Sequence, residues 1–269
     1  MIIDIHTHIF PDKVAEKAIP KLSATINLAP SMNGTANGLL SSMERAGVDL
    51  SVILPAITNV KQFDSIIRFA DSINDREYSK DGPRLFSIAG MHPDMTDYKE
   101  KLTLIRRMGF KGIKLHPDYQ NAFFDDIRFM RILDKASELD LFTITHAGYD
   151  PYSPDQVHCT ARRVRRVLDE VAPRKLILAH MGSNELYDES EELLVGQDVY
   201  FDTAYSICHM DKEQLTRMIR NHGANRIFFG SDAPWADQKE ALSIFRSLPL
   251  TKEEQEQILW KNAAALLNI

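Results

Sequence analysis

The sequence predicts a single (β/α)8 barrel spanning residues 1–269, with an insertion after its first strand. Two observations predict it. Eight short apolar segments alternate with amphipathic ones from end to end, about 25–35 residues apart, which is the length of a βα unit. No linker, low-complexity tract or internal repeat interrupts that alternation.

The first segment, IIDIH, is apolar at Ile2, Ile3 and Ile5. Side chains alternate along a strand, so Asp4, His6 and His8 fall on one side of it. Burying three ionisable groups together is costly unless something charged satisfies them. Residues Phe10 to Asn37 form the insertion, carrying Pro, Ser and Asn, and would leave the C-terminal mouth of a barrel. Two readings stay open for it: a lid over a site at that mouth, or a structural loop with one extra short helix. The remaining strand candidates are LSVILPA (50–56), RLFSIAGMH (84–92), KGIKLH (111–116), LFTITH (141–146), KLILAH (175–180), DVYFDT (198–203) and RIFFGSD (226–232). Helical patterns lie between them, among them KQFDSIIRFADSINDREY, DIRFMRILDKASELD, ARRVRRVLDEVA and KEQLTRMIRNHG. Gly47, Gly109 and Gly223 follow such patterns, where a left-handed residue ends a helix. A doubly wound open sheet shares the alternation, but its Gly-rich dinucleotide turn is replaced here by IIDIHTH.

Composition narrows the function. Hydrophobic residues make up 44% and charged residues 26%, the balance of a globular enzyme. A net charge of −6 argues against a nucleic-acid polyanion as main partner and leaves a small molecule as the expected one. The start lacks the basic and long apolar regions of a signal peptide, and no apolar run reaches the roughly 18 residues of a membrane span, so a cytoplasmic protein is expected. Cys159 and Cys208 are isolated and read as structural. A homodimer is the commonest symmetric assembly and is carried as an expectation on that ground alone. The arginine-rich ARRVRRVLDE reads as a solvated, ion-paired helix, because Asp169 and Glu170 follow within two turns.

Six of the nine histidines stand at strand ends: His6, His8, His92, His116, His146 and His180, with Asp232 ending the eighth strand. A barrel delivers all its C-terminal strand ends to one face, where active sites are built. Each histidine alone would pass as an ordinary core or surface residue; the set points to a metal. Imidazoles at i and i+2 on one strand face can both reach one cation at about 2.0–2.1 Å. Further imidazole and carboxylate ligands would complete a zinc-like site with an open position for water.

At D-I-H-T-H-I-F-P (Asp4 to Pro11), ITHAG, LAHMGS and FGSDAPW the sequence resembles the amidohydrolase superfamily of metal-dependent barrel enzymes. The resemblance covers essentially the whole chain and is strongest to the amidohydrolase 2 branch, which includes aminocarboxymuconate-semialdehyde decarboxylase-like enzymes. It implies one divalent metal ion, zinc first with manganese or iron as alternatives, held by His6, His8, His146 and Asp232. It implies a catalytic role for Asp232, as proton acceptor from water, and for His180 either a second ligand-like place or the polarising of substrate beside the metal. On strand 4 the superfamily's bridging lysine or glutamate has Lys114 and His116 as counterparts, and an unmodified Lys114 suits a grip on a substrate carboxylate or phosphate. His92 and His116 either line the pocket or cap loops. Tyr205, Trp235 and Tyr149 either stack on a planar substrate or simply pack.

The implied reaction is hydrolysis of a small-molecule amide, ester or lactone; non-oxidative decarboxylation of a small carboxylated substrate uses the same cradle and is the alternative. A TatD-type nuclease shares HxH but has a glutamate where KLH stands here. A PHP-type phosphoesterase also begins with HxH but needs more metal-binding histidines and acids early in the chain; metal-free lactone hydrolysis and non-catalytic ligand binding are the remaining alternatives.

Overall fold

The computed structural model describes residues 1–75, 82 and 84–269. All eight expected strands are present, and the third is broken at Ile88. The strands are β1 (Ile3–Thr7), β2 (Leu50–Ile53), β3 (Arg84–Ser87), β4 (Ala89–Gly90), β5 (Gly112–Leu115), β6 (Phe142–Thr145), β7 (Leu176–Leu178), β8 (Tyr200–Asp202) and β9 (Ile227–Phe228). They form two parallel sheets in chain order, β1-β2-β3 and β4-β5-β6-β7-β8-β9. Parallel strands buried on both faces are made of near-continuous apolar runs, and Ile113, Leu115, Ile144, Leu176, Ile177 and Leu178 are all fully buried.

The chain divides into two compact units, Met1–Leu54 with Ser72–Ser87 and Asp202–Ile269, and Pro55–Asp71 with Ile88–Phe201. In the first unit β1 lies against β2 with Ile3 opposite Leu50, and β2 against β3 with Val52 opposite Phe86. On its other side β1 is bonded to the segment that follows β9. Ile5 N–H donates to Phe229 O at 2.9 Å, Asp232 N–H to His6 O at 2.9 Å, and His8 N–H to Ala233 O at 2.7 Å. In the second unit Gly112 stands opposite Phe142, Thr143 opposite Leu176, and Ile177 opposite Tyr200.

The insertion is mostly one helix, α1 (Asp12–Ile26), longer than a short helix in a loop. Only Ala15 and Ile19 of it are buried, four residues apart on one face. Its return is pinned within the first unit: Ser31 N–H donates to Pro234 O at 2.7 Å, and Phe10 N–H to Gly34 O at 2.8 Å. A Cβ on Gly34 would lie 2.5 Å from Ile19 Cγ1, so glycine is required where the chain crosses α1. Next comes α2 (Ala36–Ala46), capped by the Thr35 hydroxyl, which accepts from Gly38 N–H at 3.1 Å, and ended by left-handed Gly47 at φ 74°. Thr35→Ala is expected to lower stability by about 1 kcal/mol in urea unfolding, the usual worth of such a cap.

The expected helix over 61–78 begins as a 3-10 turn and continues as α3 (Phe63–Asn74); residues 76–78 lie outside the described set. Among the other helices, α4 (Ala161–Val171) carries the arginine-rich stretch. Each of its four arginines is paired, Arg162 with Glu189, Arg163 and Arg166 with Asp125, and Arg165 with Asp169, as a solvated helix face requires. No helix among the described residues is long and apolar enough to cross a membrane.

Candidate metal centre

In the first unit three side chains converge at the C-terminal end of β1. His6 Nε2 lies 3.1 Å from His8 Nε2 and 3.3 Å from Asp232 Oδ1, and His8 Nε2 lies 3.2 Å from the same oxygen. Around a tetrahedral ion with bonds of 2.0–2.1 Å, donor atoms stand about 3.3 Å apart. The triangle therefore has the dimensions of a cation's ligand face. Its electrostatics agree. His6 Nδ1 faces Asp202 Oδ2 at 2.8 Å and His8 Nδ1 faces Leu54 O at 3.0 Å. Both partners are acceptors, so each Nδ1 carries the proton and each Nε2 presents a lone pair. Two lone pairs and a carboxylate oxygen facing one another repel unless a cation sits among them.

Local strain marks the third member. Asp232 has φ 76°, a left-handed conformation that costs of order 1 kcal/mol or more outside glycine and is held only where surroundings enforce it. Here the enforcement is the hydrogen bond from its N–H to His6 O and the one from Trp235 N–H to its own carbonyl at 2.8 Å.

Asp4 shares the strand face with His6 but not its site. Ser231 N–H and Oγ donate to its two oxygens at 2.9 and 2.5 Å, and Gln238 Nε2 donates at 2.7 Å. The polar cluster expected at the start of the chain is thus satisfied in two parts, and Asp4 needs no metal. Burial raises its pKa to about 6 against those hydrogen bonds. A folded-state pKa above the unfolded value means that the stabilisation is complete below about 4 and is lost as pH rises through 6. This contribution is about 3 kcal/mol. Asp4→Asn should flatten the fall in urea midpoint between pH 4.5 and 7 in chelator-treated protein.

Tyr205, at φ 59°, stacks on His209 with ring centroids 4.0 Å apart, and both Tyr205 and Trp235 are half-buried. The sequence reading passed over Asp202. Its signal was a carboxylate ending the otherwise apolar strand VYFD, where a hydrophobic residue is normal.

The second unit holds the other expected residues. His116, His146 and Asp150 are buried together: His116 Nε2 lies 3.5 Å and His146 Nε2 3.7 Å from Asp150 Oδ2. The rings of His116 and His146 stack at 4.6 Å, and Tyr119 stacks on His116 at 3.7 Å. His146 Nδ1 lies 3.0 Å from His180 Nε2. These donor separations exceed those of the first cluster, and Tyr119 N–H points at His116 Nδ1 from 3.4 Å, which keeps the proton on Nε2. Asp118 lies beneath, accepting from Ser153 Oγ at 2.6 Å and facing His158 Nδ1 at 2.9 Å. Asp118 and Asp150 were not foreseen; nothing in their spacing marks them.

Lys114 is 1% exposed on β5. His92 Nδ1 accepts Asp94 N–H at 3.1 Å, the loop-capping bond that was one of its two readings, and burial lowers its pKa. His180 and the next two residues run left-handed at φ 58°, 52° and 86°. A Cβ on Gly182 would lie 2.6 Å from Ser190 Oγ, which explains the glycine of LAHMGS. Burial pushes the Cys159 thiol up and that of Cys208 to about 11, so neither is a nucleophile at neutral pH. Native protein should therefore react negligibly with a thiol-labelling disulfide at pH 7.5, and unfolded protein should react at both cysteines.

A metal cradle at the strand ends of a parallel α/β fold defines a class of metal-dependent barrel enzymes. The amidohydrolase family model matches residues 3–269, and the chain belongs to that family. Solved structures share its fold. A TIM-barrel protein of Bordetella bronchiseptica aligns with a TM-score of 0.75 at 16% identity, covering 99% of this chain and 98% of its own. The 5-carboxyvanillate decarboxylase of Novosphingobium aromaticivorans, complexed with manganese, gives 0.74 at 14% identity, covering 100% and 96%. A probable 2-pyrone-4,6-dicarboxylic acid hydrolase from Acinetobacter baumannii gives 0.66 at 18%, covering 100% and 99%. No curated protein sequence matches the chain. The fold is the expected (β/α)8 barrel, and the chain is an enzyme.

Proposed function

We propose that this enzyme hydrolyses an amide, ester or lactone bond of a small molecule with a divalent cation held by His6, His8 and Asp232. The observation that carries the reading is the triangle of Nε2, Nε2 and Oδ1 atoms 3.1–3.3 Å apart, with both Nδ1 protons committed elsewhere. Zinc suits two imidazoles and a carboxylate; manganese is the metal in the carboxyvanillate decarboxylase structure. Bound there, the cation supplies Lewis acidity, lowering the pKa of water toward about 7. The chain supplies the proton handling: Asp232, anionic and 11% exposed at its side chain, accepts the proton of the attacking water and returns it to the leaving group. His180 donates to the developing oxyanion. Lys114 binds a substrate carboxylate, and Tyr205 and Trp235 pack a planar portion. His116 and His92 keep their expected places as substrate-binding residues in this proposal. His146 as a further ligand is part of the same reading, tested by the metal content of His146→Ala.

Decarboxylation is the second reading, favoured by the carboxyvanillate decarboxylase among the similar folds. The two separate in one assay. Metal-reconstituted protein is offered amides, esters, lactones and carboxylated phenols, with acid release and CO2 both followed. Hydrolytic turnover upholds the first reading, and CO2 release without it replaces that reading with the second.

A further inference from the structure

Asp202 ends β8 wholly buried. Its two oxygens have separate duties. Oδ1 accepts Ala204 N–H at 3.1 Å, which fixes the carboxylate plane, and Oδ2 faces His6 Nδ1 at 2.8 Å. The fit behind His6 is close: a Cβ on Gly230 would stand 3.0 Å from His6 Cβ and 3.2 Å from Ala204 Cβ. Gly230 therefore lets β1 and the turn after β8 approach until ring and carboxylate meet. Charge points the same way. Asp202 behind the His6 ring at Nδ1 and Asp232 in front of it at Nε2 put a carboxylate on each ring nitrogen, an arrangement suited to a cation at Nε2.

From these contacts we propose that Asp202 is a positioning residue of the metal centre. Through His6 it fixes the Nδ1–H tautomer, makes Nε2 a stronger donor and sets the site's affinity for a divalent cation. Outer carboxylates on metal-binding histidines act in this manner, and their loss typically weakens binding about 10–100-fold. The inference rests on the metal reading of His6, His8 and Asp232, and the experiment separates the two.

Zinc and manganese affinities are measured by competition with a chromophoric chelator for the whole chain, for Asp202→Asn, for Gly230→Ala and for His8→Ala. Asp202→Asn removes the charge and replaces an acceptor-only group with an amide that can accept from Nδ1–H or donate to a bare Nδ1. It should bind zinc about 10–100-fold more weakly. Gly230→Ala keeps every ligand and charge and displaces the ring, so it too should bind more weakly. Metal-free samples labelled with 15N in histidine give a readout independent of the metal: His6 should be the Nδ1–H tautomer in the natural sequence and a mixture in Asp202→Asn. Unchanged affinity in Asp202→Asn, with His8→Ala weakened, would overturn the inference and leave the metal reading standing. An unchanged His6 tautomer in Asp202→Asn would overturn it as well. A natural chain that binds neither metal would overturn the metal reading itself.

Discussion

Asp232→Asn is expected to lower turnover by roughly 10³-fold or more while leaving the protein folded. General-base catalysis alone is worth about 10²–10⁴-fold, and this carboxylate also supplies the one anionic atom of the triangle with His6 and His8. Asparagine is the right replacement for the test. It tolerates left-handed backbone at least as well as aspartate, so the φ of 76° and the bond from the residue's N–H to His6 O persist. Only the charge and the proton-accepting capacity go. Circular dichroism should be superimposable, the urea midpoint close to that of the natural chain, and bound metal reduced. Full activity in a folded Asp232→Asn would remove this residue from the mechanism.

Gly148→Ala is expected to cost about 4 kcal/mol or more, a large part of the 5–15 kcal/mol that holds a typical domain together. At φ 90° the position already excludes an L side chain without strain, and a Cβ there would fall inside the van der Waals envelope of Asn184 N and Ser183 C, with Asn184 O at 2.5 Å. Those are backbone atoms, and they cannot turn aside. Asn184 N–H donates to Ala147 O at 2.8 Å, Tyr149 N–H to Asn184 O at 2.9 Å, and Gly148 N–H to Cys159 O at 2.8 Å, so three segments are bonded around the glycine. Gly47→Ala is the control. Its φ of 74° is equally left-handed, but nothing lies within 4 Å of the added Cβ, and the expected loss is only about 1–2 kcal/mol. Equal losses at the two sites would show that backbone conformation alone, and not the crowding at Asn184, sets the cost.

The strands were legible because each is a short apolar run between polar helices, and burial on both faces leaves such runs little freedom of composition. The break at Ile88 was not legible, since RLFSIAGMH reads as one uninterrupted strand. His6, His8 and Asp232 stood out because an imidazole or a carboxylate at the end of an apolar strand contradicts its surroundings. Asp202 broke the same rule and was missed, because a lone acid at a strand end has no repeating partner such as the second histidine of HxH. The division of Asp4 from the histidines was hidden as well. Alternation assigns a face, but only the positions of Ser231 and Gln238, more than 200 residues away in sequence, decide what satisfies the carboxylate. In the 149–160 loop, Asp150 takes its place among buried histidines through backbone turns that no periodicity describes. The length of α1 also escaped, because Pro20 inside it imitates a helix break.

The central claim is that His6, His8 and Asp232 hold a divalent cation. Elemental mass spectrometry of protein purified without chelators or a histidine tag tests it most directly, alongside His6→Ala and His8→Ala. About one equivalent of zinc, manganese or iron per chain, lost in both variants, is the predicted result. No retained cation after reconstitution with each metal in turn, or equal content in the histidine variants, would contradict it.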